Sequence, residues 1–171
     1  AYEILIGLVG SEMGIRDRIE ERNHNVAGWA VQLSSMAHPL PPLTTYLTFN
    51  YGHGYGGLTN DLLAGNYDLV PNPDRPGNLY APRSLGYCLG IQYNFSHALF
   101  TSASFSQTHY LPKHPVAPGE YRYGWCADIN VFWNILPRLQ VAAEFDLGRR
   151  MNRDGANRYA KRFGAVCQFS F

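Results

Sequence analysis

Arg158-Tyr159-Ala160-Lys161-Arg162-Phe163-Gly164-Ala165-Val166-Cys167-Gln168-Phe169-Ser170-Phe171 closes the chain. Its odd positions carry Tyr159, Phe163, Ala165, Cys167, Phe169 and Phe171, and its even positions Arg158, Ala160, Arg162, Gly164, Val166, Gln168 and Ser170. A period of two sustained over about a dozen residues marks a β-strand with one apolar and one polar face, because a helix would scatter these residues around its circumference. The stretch is about twice as long as the usual globular strand. A half-buried edge strand of a soluble sandwich would alternate in the same way, so the rest of the chain has to decide between them.

Eight segments read as strands. Residues 2–18 open with Tyr2-Glu3-Ile4-Leu5-Ile6-Gly7-Leu8-Val9 and run into a polar connection over 20–25. In 26–37, Ala27, Trp29, Val31 and Leu33 oppose Gly28, Ala30, Gln32 and Ser34, and in 43–52, Leu43, Leu47, Phe49 and Tyr51 oppose Thr44, Tyr46, Thr48 and Asn50. The cleanest is 85–95, where Leu85, Tyr87, Leu89, Ile91, Tyr93 and Phe95 oppose Gly86, Cys88, Gly90, Gln92 and Asn94. In 99–110 an apolar set faces the hydroxyl row Ser102, Ser104, Ser106 and Thr108. Tyr121, Tyr123, Trp125, Ala127, Ile129, Val131 and Trp133 form the apolar face of 121–133, with aromatics at both ends. Residues 138–150 set Leu139, Val141, Ala143, Phe145 and Leu147 against Gln140, Glu144, Asp146 and Arg150.

The connections alternate between tight turns near 38–42, 96–98 and 134–137 and longer loops, of which 53–84 is the longest, a single long extracellular loop rich in Gly, Pro, Asn and Asp. A soluble sandwich has no reason to sort short and long connections to opposite ends. A barrel assembled from one side of a membrane does. The expected fold is therefore all-β, an antiparallel up-and-down transmembrane β-barrel in one domain or half-domain, residues 1–171, whose odd faces meet lipid and whose even faces line a lumen. Lys161, on the odd face, is expected to snorkel toward an interface.

Composition agrees. Hydrophobic residues make up 46% and charged residues 16% of the 171, against roughly a quarter charged in ordinary soluble domains. Twelve Tyr, nine Phe and three Trp supply the aromatics that collect where a surface passes from apolar to wet. A net charge of +1 gives no footprint for nucleic acid. No apolar run reaches the roughly twenty residues of a membrane helix, which leaves a barrel open. Cys88, Cys126 and Cys167 show no CxxC or metal-ligand spacing and read as small core-like side chains. No catalytic triad, paired acids or metal set is legible, so the expectation is a protein that is not an enzyme and needs no cofactor.

Charge on the even faces is the candidate chemistry. Antiparallel pairing around the turn at 134–137 is expected to set Asp128 opposite Glu144, and pairing around the loop at 151–157 to set Asp146 opposite Arg162. Arg122, Arg150 and Arg158 would lie toward the loop mouth. These seven residues are the pore-lining and solute-contact candidates, either as a charged constriction with arginines as anion contacts or as a self-neutralising network that stiffens the wall.

Asn25-Val26-Ala27-Gly28-Trp29, Leu58-Thr59-Asn60-Asp61-Leu62 through Gly65-Asn66-Tyr67-Asp68-Leu69, Leu79-Tyr80-Ala81-Pro82, Asn130-Val131-Phe132-Trp133-Asn134, Ala143-Glu144-Phe145-Asp146 with Gly148-Arg149-Arg150, and Cys167-Gln168-Phe169-Ser170-Phe171 together resemble the C-terminal half of DcaP-like outer-membrane porins of Gram-negative bacteria. The order and spacing of these segments carry the likeness, which covers nearly the whole chain. It implies a sixteen-stranded, trimeric channel in the bacterial cell outer membrane for passive transport of small hydrophilic solutes, with a leaning toward anions. Eight strands are half of such a barrel, and the abrupt start in a strand at Ala1 makes a fragment the expected reading. Two other readings stand beside it: a soluble lipocalin-like ligand-binding barrel with its apolar faces turned inward, and a small non-conducting outer-membrane barrel with an adhesive loop.

Overall fold

The computed structural model describes residues 2–7, 14–19, 22–59, 62, 65 and 67–170, and up to residue 25 it describes the backbone alone. The strands are β1 (Tyr2–Gly7), β2 (Gly14–Ile19), β3 (Arg22–Ala27), β4 (Trp29–Leu40), β5 (Leu43–His53), β6 (Val70–Pro71), β7 (Leu79–Tyr80), β8 (Arg83–Asn94), β9 (Leu99–Leu111), β10 (Tyr121–Leu136), β11 (Leu139–Asn152) and β12 (Asn157–Phe169). Eight of them form one sheet in the order β1-β4-β5-β8-β9-β10-β11-β12, every neighbouring pair antiparallel. The sheet is open, and β1 and β12 are its edges. The all-β, meandering architecture is the one that the alternation requires, and with β1 and β12 unpaired to each other the eight strands do not close into a small barrel.

Turn chemistry explains where the meander reverses. Pro41 and Pro42 cannot continue a ladder as donors, and β4 turns into β5 there. The Ser96 hydroxyl accepts from the Ala98 and Leu99 backbone N–H groups at 3.2 and 3.1 Å, closing the turn between β8 and β9. Pro137 and Arg138 join β10 to β11. These three turns lie at one end of the sheet, and the connections 54–82, 112–120 and 153–156 at the other. Of residues 2–18, β1 (Tyr2–Gly7) pairs with β4 and β2 with β3, and residues 8–13 lie outside the described ones. One departure from expectation is that β3 takes in part of the polar segment 20–25. A ladder held by backbone hydrogen bonds needs no apolar face, so hydrophobic patterning does not register it.

The two faces of the sheet differ in what covers them. On the odd face Leu89, Ile91, Ile129, Val131, Phe145 and Phe163 are between 43% and 73% exposed. Among the described residues none buries this face, whereas a sandwich would bury it under a second sheet and a lipocalin-like barrel would turn it inward. Successive cross-strand rows on this face run Tyr87, Gln107, Trp125, Arg149, Tyr159, then Leu89, Phe105, Ala127, Leu147, Lys161, then Ile91, Ala103, Ile129, Phe145, Phe163. Tyr93, Trp133 and Phe169 mark the tight-turn end. An apolar band with aromatics toward both ends is what a lipid slab demands. Lys161 lies one row inside the loop-end aromatics, and Arg149 lies over the Tyr159 ring at 5.3 Å within that row.

The buried residues gather on the other face. Leu62 and Tyr67 from the long connection pack on Tyr110 and Tyr121, with Val116 against them. The 53–84 stretch is therefore folded down on the polar face at the loop end. It is not structureless: its described residues include the 3-10 turn Gly56–Leu58 and the short β6–β7 ladder.

Candidate functional site

Cross-strand register sorts the polar face into rows. The loop-end row runs Gln32, Asn50, Gly86, Thr108, Gly124, Arg150, Arg158; the next Ser34, Thr48, Cys88, Ser106, Cys126, Gly148, Ala160; the third Met36, Tyr46, Gly90, Ser104, Asp128, Asp146, Arg162. Asn130 and Glu144 follow in the fourth row.

Asp128 faces Asp146, and Glu144 faces Asn130. The expected pairing of Asp128 with Glu144 is thus two residues out. The turn is Pro137–Arg138 rather than four residues, with a register shift between Asn134 and Leu136, and each residue removed from a turn slides the register. Asp146 does face Arg162 as expected. The guanidinium bridges two carboxylates, Nε to Asp146 Oδ2 at 2.5 Å and Nη2 to Glu144 Oε1 at 2.8 Å. Asp128 is held by the Ser104 hydroxyl. Three carboxylates with one guanidinium leave this patch with a surplus of negative charge, and the fork of Arg162 is what makes two of them tolerable side by side.

Arg150 faces Arg158 directly across β11 and β12. Arg150 lies over the Tyr121 ring at 5.4 Å and donates from Nε to Asn152 Oδ1 at 3.1 Å. No acid shares that row. The seventh candidate, Arg122, is not brought to this wall's charge rows: it is exposed, 6.0 Å from the Tyr123 ring. The cause is a bulge, in which Tyr121 and Tyr123 pair with the consecutive residues Asn152 and Met151. A bulge flips the parity of what precedes it. Tyr121, read from the sequence as part of the apolar face, is thereby turned to the polar side and buried to 2% exposure.

That inversion creates the seat for the long loop. The Tyr67 hydroxyl donates to Glu120 Oε2 at 2.9 Å and accepts from the Tyr121 backbone N–H at 3.3 Å, and the Tyr121 hydroxyl donates to the Thr108 carbonyl at 3.1 Å. Nearer the loop's start, the Tyr55 hydroxyl donates to Asn50 Oδ1 at 2.9 Å, and Gly57 N–H to Asp68 Oδ1 at 2.6 Å. Burial pushes the Tyr55 phenol up to about 12, with the neighbouring Tyr51 adding to it. Burial also raises the Tyr67 phenol. Two glycines make the docking possible: Gly54 sits at φ +66, and a Cβ on Gly86 would stand 2.6 Å from Asn50 Oδ1.

No family model matches the sequence, and no match was found among curated proteins. Among solved structures, the crystal structure of the outer membrane channel DcaP of Acinetobacter baumannii matches 87% of this chain and 42% of that chain, with a TM-score of 0.71 at 16% sequence identity. The fold is that of an outer-membrane channel wall. At this identity the likeness is one of architecture, and it bears out at that level the resemblance to DcaP-like porins drawn from the sequence. The chain spans less than half the length of that channel.

Tyr67, Glu120, the inward Tyr121 and the outward Arg149 were not among the candidates. Arg149 was legible by parity, since it is an odd residue in a strand whose odd face is apolar. The Tyr67–Glu120 contact joins residues 53 apart and has no local signature.

Proposed function

We propose that this chain forms part of the wall of a porin in the Gram-negative outer membrane, admitting small hydrophilic solutes passively, with no covalent step and no cofactor. One observation carries the reading. The apolar side chains of the sheet are exposed among the described residues, while charged and hydroxyl side chains share the face on which the loop docks. In a bilayer the first face meets acyl chains and the second a water-filled pore. The Arg150–Arg158 pair, free of acids in its row, supports contact with anions. Assembly as a trimer follows from the sequence resemblance.

Planar-bilayer recording of the full-length protein tests this. Open-channel steps with a reversal potential displaced toward anions are expected. Arg158→Ala should reduce that displacement, and Arg162→Ala should push it toward cations by uncovering Glu144 and Asp146. Selectivity unchanged in both variants would assign the charges to wall stiffness alone, and the absence of any conductance would favour a non-conducting adhesive barrel.

A further inference from the structure

Strands β10 to β12 carry two separate recesses on the polar face. One, of about 300 Å³, is lined by Tyr121, Gly124, Gly148, Arg150, Arg158 and Ala160. The other, of about 310 Å³, is lined by Asn130, Phe132, Ala142, Glu144, Arg162 and Gly164. Glycines and alanines form much of both, which is why side-chain-sized space is left there. They differ in sign. The first holds two guanidiniums facing each other with no carboxylate in their row. In the second the single guanidinium is already committed to Glu144 and Asp146, and Asp128 stands opposite Asp146, so carboxylate is in excess. Phe132 adds a ring face to this recess, stacked on Phe100 with centroids 4.8 Å apart, and ring faces favour cations.

We propose that the wall selects extended zwitterions the size of a short peptide, anionic end at Arg150 and Arg158, cationic end at Glu144 and Asp146. This rests on the porin reading above and goes beyond its anion preference. Along the strand Asp146 lies four residues from the arginine row, about 14 Å of backbone, and Glu144 six, about 20 Å, and the side chains at either end reach into the gap. A chain of about three residues, at roughly 3.3–3.6 Å per residue, spans what remains. Between them lies the uncharged row Cys126, Gly148 and Ala160, with no bulky side chain to block an extended backbone. A singly charged solute of the same body gains one contact and leaves the other row unused; a zwitterion gains both.

Proteoliposome uptake with three probes of one body tests the idea: trialanine, N-acetyl-trialanine and trialanine amide. Trialanine should enter about fivefold faster than either singly charged analogue, the ratio that corresponds to one ion contact at an exposed site. Arg158→Gln should erase its advantage over the amide, and Glu144→Gln its advantage over the acetylated probe. Arg158 is exposed, so its replacement leaves the fold intact even if the Glu144 variant misfolds. Equal rates for all three probes, or an advantage that survives Arg158→Gln, overturn the proposal. Uptake of all three at equal rates leaves the porin reading standing, whereas no uptake of any probe removes both.

Discussion

Replacing Tyr67 with phenylalanine removes one oxygen from the point where the long loop is fastened to the wall. That oxygen donates to the Glu120 carboxylate at 2.9 Å and accepts from the Tyr121 N–H at 3.3 Å, the second contact being long and weak. The ring keeps its packing on Tyr110, 4.5 Å between centroids, so no cavity opens and the loss is that of the hydrogen bonds. A bond to a charged partner is worth about 1.5–3 kcal/mol. At about 2 kcal/mol the equilibrium for local release of the loop rises roughly 30-fold, since 1.4 kcal/mol is a factor of ten. Hydrogen exchange resolved by mass spectrometry should show that acceleration in peptides covering 54–82, with the ladder of β10 and β11 unchanged. Tyr80→Phe is the control: Tyr80, within the loop, meets the 112–120 connection through its ring, edge-on to His114 at 4.9 Å, and exchange over 54–82 should stay at the parent rate in that variant. Exchange in 54–82 within about twofold of the parent in Tyr67→Phe would refute the latch and leave ring packing and the Tyr55–Asn50 bond as the fastening.

Charge placed on the outward face should be costly and charge on the polar face tolerated: Ile129→Arg should lower stability by about 2–4 kcal/mol, whereas Gln92→Arg should cost under about 1 kcal/mol, both read by urea unfolding in vesicles. Equal costs would remove the inside–outside assignment. Thiols report the same thing without charge. In vesicles a membrane-impermeant reagent should modify Cys88, on the polar face, and spare Cys167, which is exposed on the apolar face; a lipid-soluble maleimide should modify Cys167, and the reverse pattern would overturn the orientation. Alkali should undock the loop. The folded Tyr55 phenol titrates near 12 against 10.0 for a free one, so the folded state holds the proton longer, its contribution is whole below pH 10, and it is lost as pH climbs toward about 12. Ultraviolet titration should show a late tyrosinate component that loses one tyrosine's amplitude in Tyr55→Phe, since burial raises Tyr67 as well.

The parity of residues was legible because side chains of a strand point alternately to its two faces, and a long run such as Leu85 to Phe95 repeats the signal until chance is excluded. Sorting of the connections was legible for a similar reason, since short turns such as 96–98 alternate along the chain with long connections such as 53–84. What parity cannot see is a change of parity. The bulge before Tyr123 carries Tyr121 across the sheet, and an alternation that is locally perfect then assigns it to the wrong side. Register is equally fragile: Asp128 meets Asp146 rather than Glu144 because a turn is two residues shorter than its composition suggests. The arginine clamp survived that error because Arg162 reaches both carboxylates, one opposite and one a row away. Contacts within the loop core were illegible altogether, as they depend on side chains brought together from 54–82, 112–120 and β9.

The position of the core decides what solvent this sheet requires. Fully burying a Leu, Ile, Val or Phe side chain is worth about 1.5–3 kcal/mol, so leaving Leu89, Ile91, Ile129, Val131, Phe145 and Phe163 in water forgoes roughly as much as the whole net stability of a typical domain, about 5–15 kcal/mol. The cluster of Leu62, Tyr67, Tyr110 and Tyr121 does not offset this, because it fastens a loop to one end and touches none of the outward rows. In a lipid slab the same six side chains are already in their preferred medium, and the backbone polar groups are satisfied strand to strand. The outward face then needs no packing partner, and sequence variation on it is limited by hydrophobicity rather than shape. The polar face is under the opposite constraint: each charge there must be paired, as Arg162 is, or left to meet water and solute, as Arg158 is.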